Sequence, residues 1–212
     1  MIKILIADDH PIVRRGLKQI LAEEPDLAIA GEAQSSQEVL DLVRKRDWNV
    51  VVLDITMPGR GGLEILREIK KERPKLPVLI LSMHPEDQYG VRALKAGAAG
   101  YMTKESAPEK LVQAIRKIIK GGKYVSPTLA EKLVLDLEKD TPEAPHETLS
   151  DREHQVMCMI ASGKTVSEIA KDLFLSVKTI STYRSRILKK MKMKNNAELT
   201  HYAMKHRLVQ LD

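Results

Sequence analysis

Four polar features stand where apolar runs stop. Asp8 and Asp9 follow residues 2–7, Asp54 follows 50–53, Ser82 follows 78–81, and Lys104 follows a run around 99–102. Taken singly each is ordinary: an acidic pair after a strand is commonly a solvated turn, and one lysine carries no information. Together they count, because each terminates a different β-branched segment. Three carboxylates brought close repel one another and hold protons more tightly unless a cation joins them. Hard oxygen ligands suit Mg²⁺, which keeps several waters and pairs readily with phosphate. Asp54 is then placed to act as a nucleophile toward a phosphoryl group, giving an aspartyl phosphate. The Lys104 ammonium would neutralise charge on the transferring group, and the Ser82 hydroxyl would donate to a phosphoryl oxygen.

This chemistry needs elements that bring the four strand ends to one edge. Between the apolar runs (the second of them at 27–30) lie amphipathic patterns at about 11–24, 36–46, 62–72, 86–96 and 107–120. Ser35 with Glu38 and Ser106 with Glu109 have capping-box spacing, in which side chain and backbone satisfy each other's free donors. Strand and helix alternating five times imply a doubly wound α/β fold with a five-stranded parallel sheet. The strands read as nearly continuous apolar runs, as sheets covered on both faces must. In such folds functional groups gather at the carboxyl ends of the strands.

After residue 122 the pattern changes. A helical segment from Ser126 and Pro127 leads into residues 139–146, whose two prolines and mixed charge mark a linker. Residues 123–146 are therefore expected to join a first domain, 1–122, to a second, 147–212. The second is expected to be a separate all-α bundle of four short helices, with a tight turn between its second and third. Ser150 with Glu153 and Thr165 with Glu168 fit capping boxes, and Ser176 can cap the third helix. Residues 147–212 hold 12 Lys and Arg against 7 Asp and Glu, whereas 1–146 hold 23 against 22. Residues 178–194 carry seven cations and no acid, where a solvated helix would mix signs for pairing. A one-sign stripe matches a polyanion. On the third helix, about 176–192, Lys178, Ser181, Thr182, Ser185, Arg186 and Lys189 form the outer face. Residues near its start can reach base edges of double-stranded DNA while cations bind phosphates. The last helix has one stripe for the bundle, Leu199, Tyr202 and Ala203. A second, Ala197, His201, Met204 and Leu208, is expected to face a second copy of the chain.

Asp8-Asp9, the run from Val51 through Asp54 to Thr56, Met57, Pro58 and Gly59, Ser82, and Gly100-Tyr101-Met102-Thr103-Lys104 resemble the receiver domain of response regulators over residues 1 to about 122. The resemblance implies phosphorylation of Asp54 by a sensor histidine kinase, and Mg²⁺ held by Asp8, Asp9, Asp54 and the backbone carbonyl of Thr56. It also implies a switch in which Ser82 moves to the phosphate and Tyr101 turns inward. Leu149-Ser150-Asp151-Arg152-Glu153, Glu168-Ile169-Ala170, Leu175 to Ile180 and Leu188 to Met191 resemble the LuxR-type helix-turn-helix. A chain carrying both resembles the NarL/FixJ class and, through Thr182 to Ile187, its GacA/UvrY group. By position, Ser181, Thr182 and Ser185 correspond to the family's base readers, and Lys178, Thr179, Tyr183 and Lys189 to phosphate contacts. A homodimer on phosphorylation is expected, with RNA polymerase a further candidate partner. In the first domain, Arg14, Arg15, Lys18 and Gln19 are expected on the surface of the first helix, and Val112 and Ile119 beside the core stripe of the fifth.

Two other function classes are weighed on residues. A phosphatase with a nucleophilic aspartate would need a second aspartate two positions after Asp54 as general acid, and Thr56 stands there, so no turnover of an external substrate is expected. A pure signalling adaptor has no use for the basic third helix. A regulator that binds DNA without phosphorylation, using its first domain as a dimerisation module, stays open. Gly163-Lys164-Thr165 ends like a phosphate loop, but Cys158 stands at the position of that motif's first glycine. With 43% hydrophobic and 30% charged residues and no apolar run near eighteen, no membrane span is expected. The single cysteine sits among apolar neighbours, so a buried thiol and a cytoplasmic setting are expected.

Overall fold

The computed structural model describes residues 1–57, 60–137, 144–206 and 208–209. Most of the expected linker, residues 138–143, lies outside the described residues, as does Pro58-Gly59 of the motif after Asp54. The chain divides into two compact units, Met1–Val134 and Leu135–Asp212. No helix among the described residues is long and apolar enough to cross a membrane.

In the first unit β1 (Ile2–Ala7), β2 (Leu27–Ala33), β3 (Val50–Asp54), β4 (Val78–Ser82) and β5 (Gly100–Thr103) form one parallel sheet in the order β2-β1-β3-β4-β5. Helices α1 (Pro11–Ala22), α2 (Ser36–Lys45), α3 (Gly62–Glu72), α4 (Glu86–Lys95) and α5 (Ala107–Ile119) alternate with the strands. The continuous apolar runs conceal a period of two. Leu5, Ala7, Val51, Leu53, Val78 and Ile80 face a core shared with the buried faces of α2, α3 and α4. Ile4, Ile6, Val50, Val52, Leu79 and Leu81 face the other core, built with α1 and α5. Where β1, β3 and β4 are sandwiched both parities are apolar, and the polar residue that follows the buried run reports where the sandwich ends.

The order reverses at β1 and β3, where the chain turns outward to β2 and then returns across the sheet. Helices leaving those two strands go to opposite faces and open a crevice at the carboxyl ends. Register aligns the strand ends there: Ala7 pairs with Leu53, Asp54 with Leu81, and Ser82 with Thr103. Just past β3, Gly62 lets α3 start against the strand end. A Cβ on it would lie 2.3 Å from the Ile55 Cα and 2.9 Å from the Asp54 carbonyl oxygen.

The first unit does not end near residue 122. Tyr124 bridges to Gly100 in parallel fashion, and α6 (Pro127–Leu137) buries Leu129 in the core against α4. Gly90 makes room, since a Cβ there would meet Leu129 methyls at 2.7 and 2.9 Å. The segment expected to begin the linker thus belongs in part to the first unit. Its amphipathic signal could not tell which neighbour it would cover.

Local signals at helix starts succeed unevenly. Ser35 accepts from the Glu38 amide, but Glu38 reaches the Gln34 amide, so only half of that box forms. Ser106 does not cap at all: it lies in a 3₁₀ turn (Lys104–Ser106), and its hydroxyl donates to the Thr103 carbonyl. Ser150 with Glu153 and Thr165 with Glu168 form complete boxes in the second unit.

The second unit comprises a 3₁₀ turn (Pro145–Thr148), α7 (Asp151–Ala161), α8 (Val166–Asp172), α9 (Val177–Lys190) and α10 (Asn196–Lys205). Its core joins Val156, Met157 and Ile160 to Ile169, Leu173, Ile180, Ile187 and Leu199. Cys158 is buried there. Glu153 closes the α7 cap and also receives Lys190 at 2.6 Å, fastening the start of α7 to the end of α9. Burial opposes ionisation of Glu153, but the donors Lys190 and Ser150 outweigh it and hold its pKa below the usual value.

Candidate functional site: an acidic pocket and a basic helix

The expected quartet assembles at the crevice. Asp8 and Asp54 are each 1% exposed and Ser82 is fully buried. Lys104 lies between the carboxylates, its Nζ 2.6 Å from Asp54 Oδ2 and 2.7 Å from Asp8 Oδ2. The other oxygen of Asp54 accepts the Thr56 amide at 2.8 Å and the Thr56 hydroxyl at 2.7 Å. Burial works against the Lys104 charge, but Asp54 and then Asp8 outweigh it and raise its pKa above the ordinary lysine value. The ammonium therefore stays charged at neutral pH.

Asp8, Asp9 and Asp54 offer oxygens, and His10 a nitrogen, that all lie within 4.8 Å of one another. Asp8 Oδ2 is paired with Lys104 at 2.7 Å and Asp9 Oδ1 with the His10 ring at 2.9 Å, so three carboxylates share one ammonium and one imidazole. Carboxylate oxygens in excess of their donors fit a hard divalent cation such as Mg²⁺. His10 is the pocket residue that sequence reasoning missed. The available signal was its place directly after the acidic pair, where its amide also donates to Asp8 at 2.8 Å.

Tyr101 differs from expectation. An inward swing was expected to follow movement of Ser82, yet Tyr101 is already 2% exposed. Its hydroxyl donates to the His84 carbonyl at 2.8 Å, and Ser82 Oγ accepts the His84 amide at 3.0 Å. Burial pushes the Tyr101 phenol well above its ordinary value. Arg14, expected on the surface, is buried against the acidic loop instead.

On α9 the expected outer face is present: Lys178, Ser181, Thr182, Ser185, Arg186 and Lys189 are exposed. Thr179 and Tyr183 are half-buried. The Thr179 hydroxyl pairs with the capping Ser176, and the Tyr183 ring packs on the core, which leaves only part of each for a ligand. Thr182 and Ser185 donate their hydroxyls to the carbonyls of Lys178 and Ser181, so to any ligand they present lone pairs and carbon rather than a free donor. Phe174, at φ 54°, and Val177 are exposed beside the start of α9, and polarity-based reasoning passed over both. On α10, Ala197, His201 and Met204 are exposed, but Leu208 is 7% exposed within the bundle core. The chain turns after α10, and the Leu208 amide donates to the Ala203 carbonyl, so helical spacing no longer predicts its direction.

Two families match: response regulator receiver domain over residues 4–116, and bacterial regulatory proteins, luxR family, over residues 147–203. This chain is a two-component response regulator. The regulator is 40% identical over 210 residues to response regulator GacA of Pseudomonas aeruginosa, covering 99% of this chain and 98% of GacA. It is 37% identical over 209 residues to response regulator UvrY of Escherichia coli K12, covering 98% and 96%. Both matches place the regulator in the NarL/FixJ class, with a LuxR-type DNA-binding domain. Among solved structures, RcsB of Salmonella typhimurium aligns with a TM-score of 0.62 at 29% identity, covering 96% of this chain and 100% of that one. RcsB bound to promoter rprA in the presence of phosphomimetic BeF3- aligns with a TM-score of 0.65 at 29% identity, covering 96% and 99%.

Proposed function

We propose that the regulator accepts a phosphoryl group on Asp54 from a sensor histidine kinase and, once phosphorylated, dimerises and binds operator DNA through α9. The observation that carries this reading is the buried Lys104 bridging Asp54 and Asp8 at the strand ends. An Asp54 oxygen attacks phosphorus as the bond to the kinase histidine breaks, and the electron pair leaves with the imidazole. Thr56 holds Oδ1, so Asp54 is aimed before the donor arrives. Lys104 offsets charge on the phosphoryl oxygens. Asp8, Asp9, Asp54 and the Thr56 carbonyl would hold Mg²⁺, which when bound supplies the additional positive charge that phosphoryl transfer needs. Ser82 would release the His84 amide and donate to the new phosphate.

On the DNA side, Lys178, Arg186 and Lys189 supply phosphate contacts, with Thr179 and Tyr183 contributing their exposed edges. Ser181, Thr182 and Ser185 face bases. A dimer through Ala197, His201 and Met204 would couple two α9 helices to half-sites about one helical turn apart. RNA polymerase is a further candidate partner at promoters.

The test is labelling by acetyl phosphate. Wild type takes label only with Mg²⁺, and Asp54→Asn takes none; undiminished labelling of that variant would identify another acceptor. The inward Tyr101 favours a second reading, in which the receiver reaches its switched arrangement without phosphate and serves as a dimerisation module. That reading requires Asp54→Asn to bind operator DNA as tightly as labelled wild type.

A further inference from the structure

Arg14 is a buried cation that phosphoryl transfer, as described above, does not use. Arg14 is 8% exposed and heads the buried stripe of α1, three and seven residues before Leu17 and Leu21. From there Nη1 donates to the backbone carbonyl of Asp8 at 2.7 Å, in a buried hydrogen bond. Nε donates to Glu32 Oε2 at 3.3 Å, and Glu32 also takes Lys18 at 2.5 Å. The Lys18 hydrogen bond, with Arg14 adding to it, holds the Glu32 carboxyl below its usual pKa, so the guanidinium is matched by a full negative charge on β2.

The Asp8 carbonyl is half of the peptide that joins Asp8 to Asp9. On the other side of residue 8, the Asp8 amide donates to the Ala33 carbonyl of β2 at 3.1 Å. With the peptide plane before Asp8 held through its amide and the plane after it held through its carbonyl, the backbone dihedrals of Asp8 are fixed and the Asp8–Asp9 peptide has little freedom. The plane sets the direction in which the Asp9 side chain leaves the backbone, and Asp9 is the less buried of the acidic pair. A planar fork anchored on β2 by Glu32 resists rotation in a way that a lysine cannot.

We propose that Arg14 is a positioning residue for the divalent cation: it presets the Asp8–Asp9 peptide so that both carboxylates converge on the pocket. The inference rests on the reading of that pocket as a Mg²⁺ site. Groups that orient metal ligands in this way typically contribute 10–100-fold to metal affinity.

The experiment is Mg²⁺ titration of full-length wild type, Arg14→Lys and Arg14→Met by isothermal calorimetry, followed by acetyl phosphate labelling across Mg²⁺ concentration. Arg14→Met should weaken Mg²⁺ binding by about 10-fold or more, and raising Mg²⁺ should restore its labelling rate. Arg14→Lys should fall between the two, since it keeps charge and one donor but loses the fork. A merely structural role would lower labelling without rescue by Mg²⁺. Unchanged Mg²⁺ affinity in Arg14→Met would overturn the inference, and so would a labelling defect that saturating Mg²⁺ leaves in place in both variants. If wild type itself bound no Mg²⁺, the reading of the pocket would fail first, a result separable from failure of the Arg14 role.

Discussion

Replacing Lys104 with alanine isolates the electrostatics of the pocket. Lys104, Asp8 and Asp54 have side chains only 7%, 2% and 0% exposed, so water cannot take over when the ammonium is lost. Two buried carboxylates then face each other, and removing one partner of a buried ion pair costs about 3–5 kcal/mol. The native state has an escape, which is to bind a proton. Lifting an aspartate from its usual value of about 3.9 until it is protonated at pH 7 costs about 4 kcal/mol, which caps the loss. At pH 5 the same proton costs about 1.5 kcal/mol. The sign follows: the variant's native carboxylate pKa is raised above the unfolded value, so the variant recovers relative to wild type as pH falls from 7 to 5. Lys104 itself has a raised pKa, so its contribution in wild type is complete across this range and is lost only above the ordinary lysine value. The assay is urea unfolding followed by Trp48, the single tryptophan, which is buried in the first unit and reports that unit alone. With a slope of about 1.5 kcal/mol per molar, the midpoint should fall by about 2 M at pH 7. At pH 5 it should fall by about 1 M. A loss below about 1 kcal/mol at pH 7, or a gap that does not narrow at pH 5, would refute the argument from buried charge.

Gly62→Ala would drive a methyl into the β3 backbone next to Asp54, costing about 3 kcal/mol in the Trp48 transition. Ser150→Ala removes the α7 cap at about 1 kcal/mol, so thiol labelling of buried Cys158, which requires opening of the second unit, should accelerate about fivefold. Lys189→Ala should weaken binding to every DNA sequence alike and lower the salt slope by about one, whereas Thr182→Ala should shift preference at one base pair by about 1–3 kcal/mol. Gel-shift competition over two salt concentrations separates these effects, and equal weakening by both variants would dissolve the division between positioning and reading.

What the order of residues determined alone was whatever depends on neighbours in the chain. A strand buried on both faces must stay apolar until it leaves the sandwich, so Asp8, Asp54, Ser82 and Lys104 mark the strand ends as soon as the runs are read. Cap chemistry spans three residues, and Ser150 and Thr165 could be recognised from spacing. The acid-free stretch 178–194 set the expectation of an anionic ligand because charge is a property of composition. Tertiary structure decided the rest, because burial of a given side chain depends on what another element lays over it. Arg14 is in helical phase with buried Leu17 and Leu21, but only the approach of Glu32 and of the Asp8 carbonyl gives a charged group there the partners that burial requires. Leu208 carries helical spacing, but the turn after α10 rolls it into the core. Tyr101 is held inward by a carbonyl seventeen residues earlier in the chain. Leu129 sits beyond the point where the sheet pattern stops, yet α4 has a glycine-wide opening for it. None of these contacts is periodic, so no window of sequence contains the information. It resides in distances between elements that only the folded chain sets.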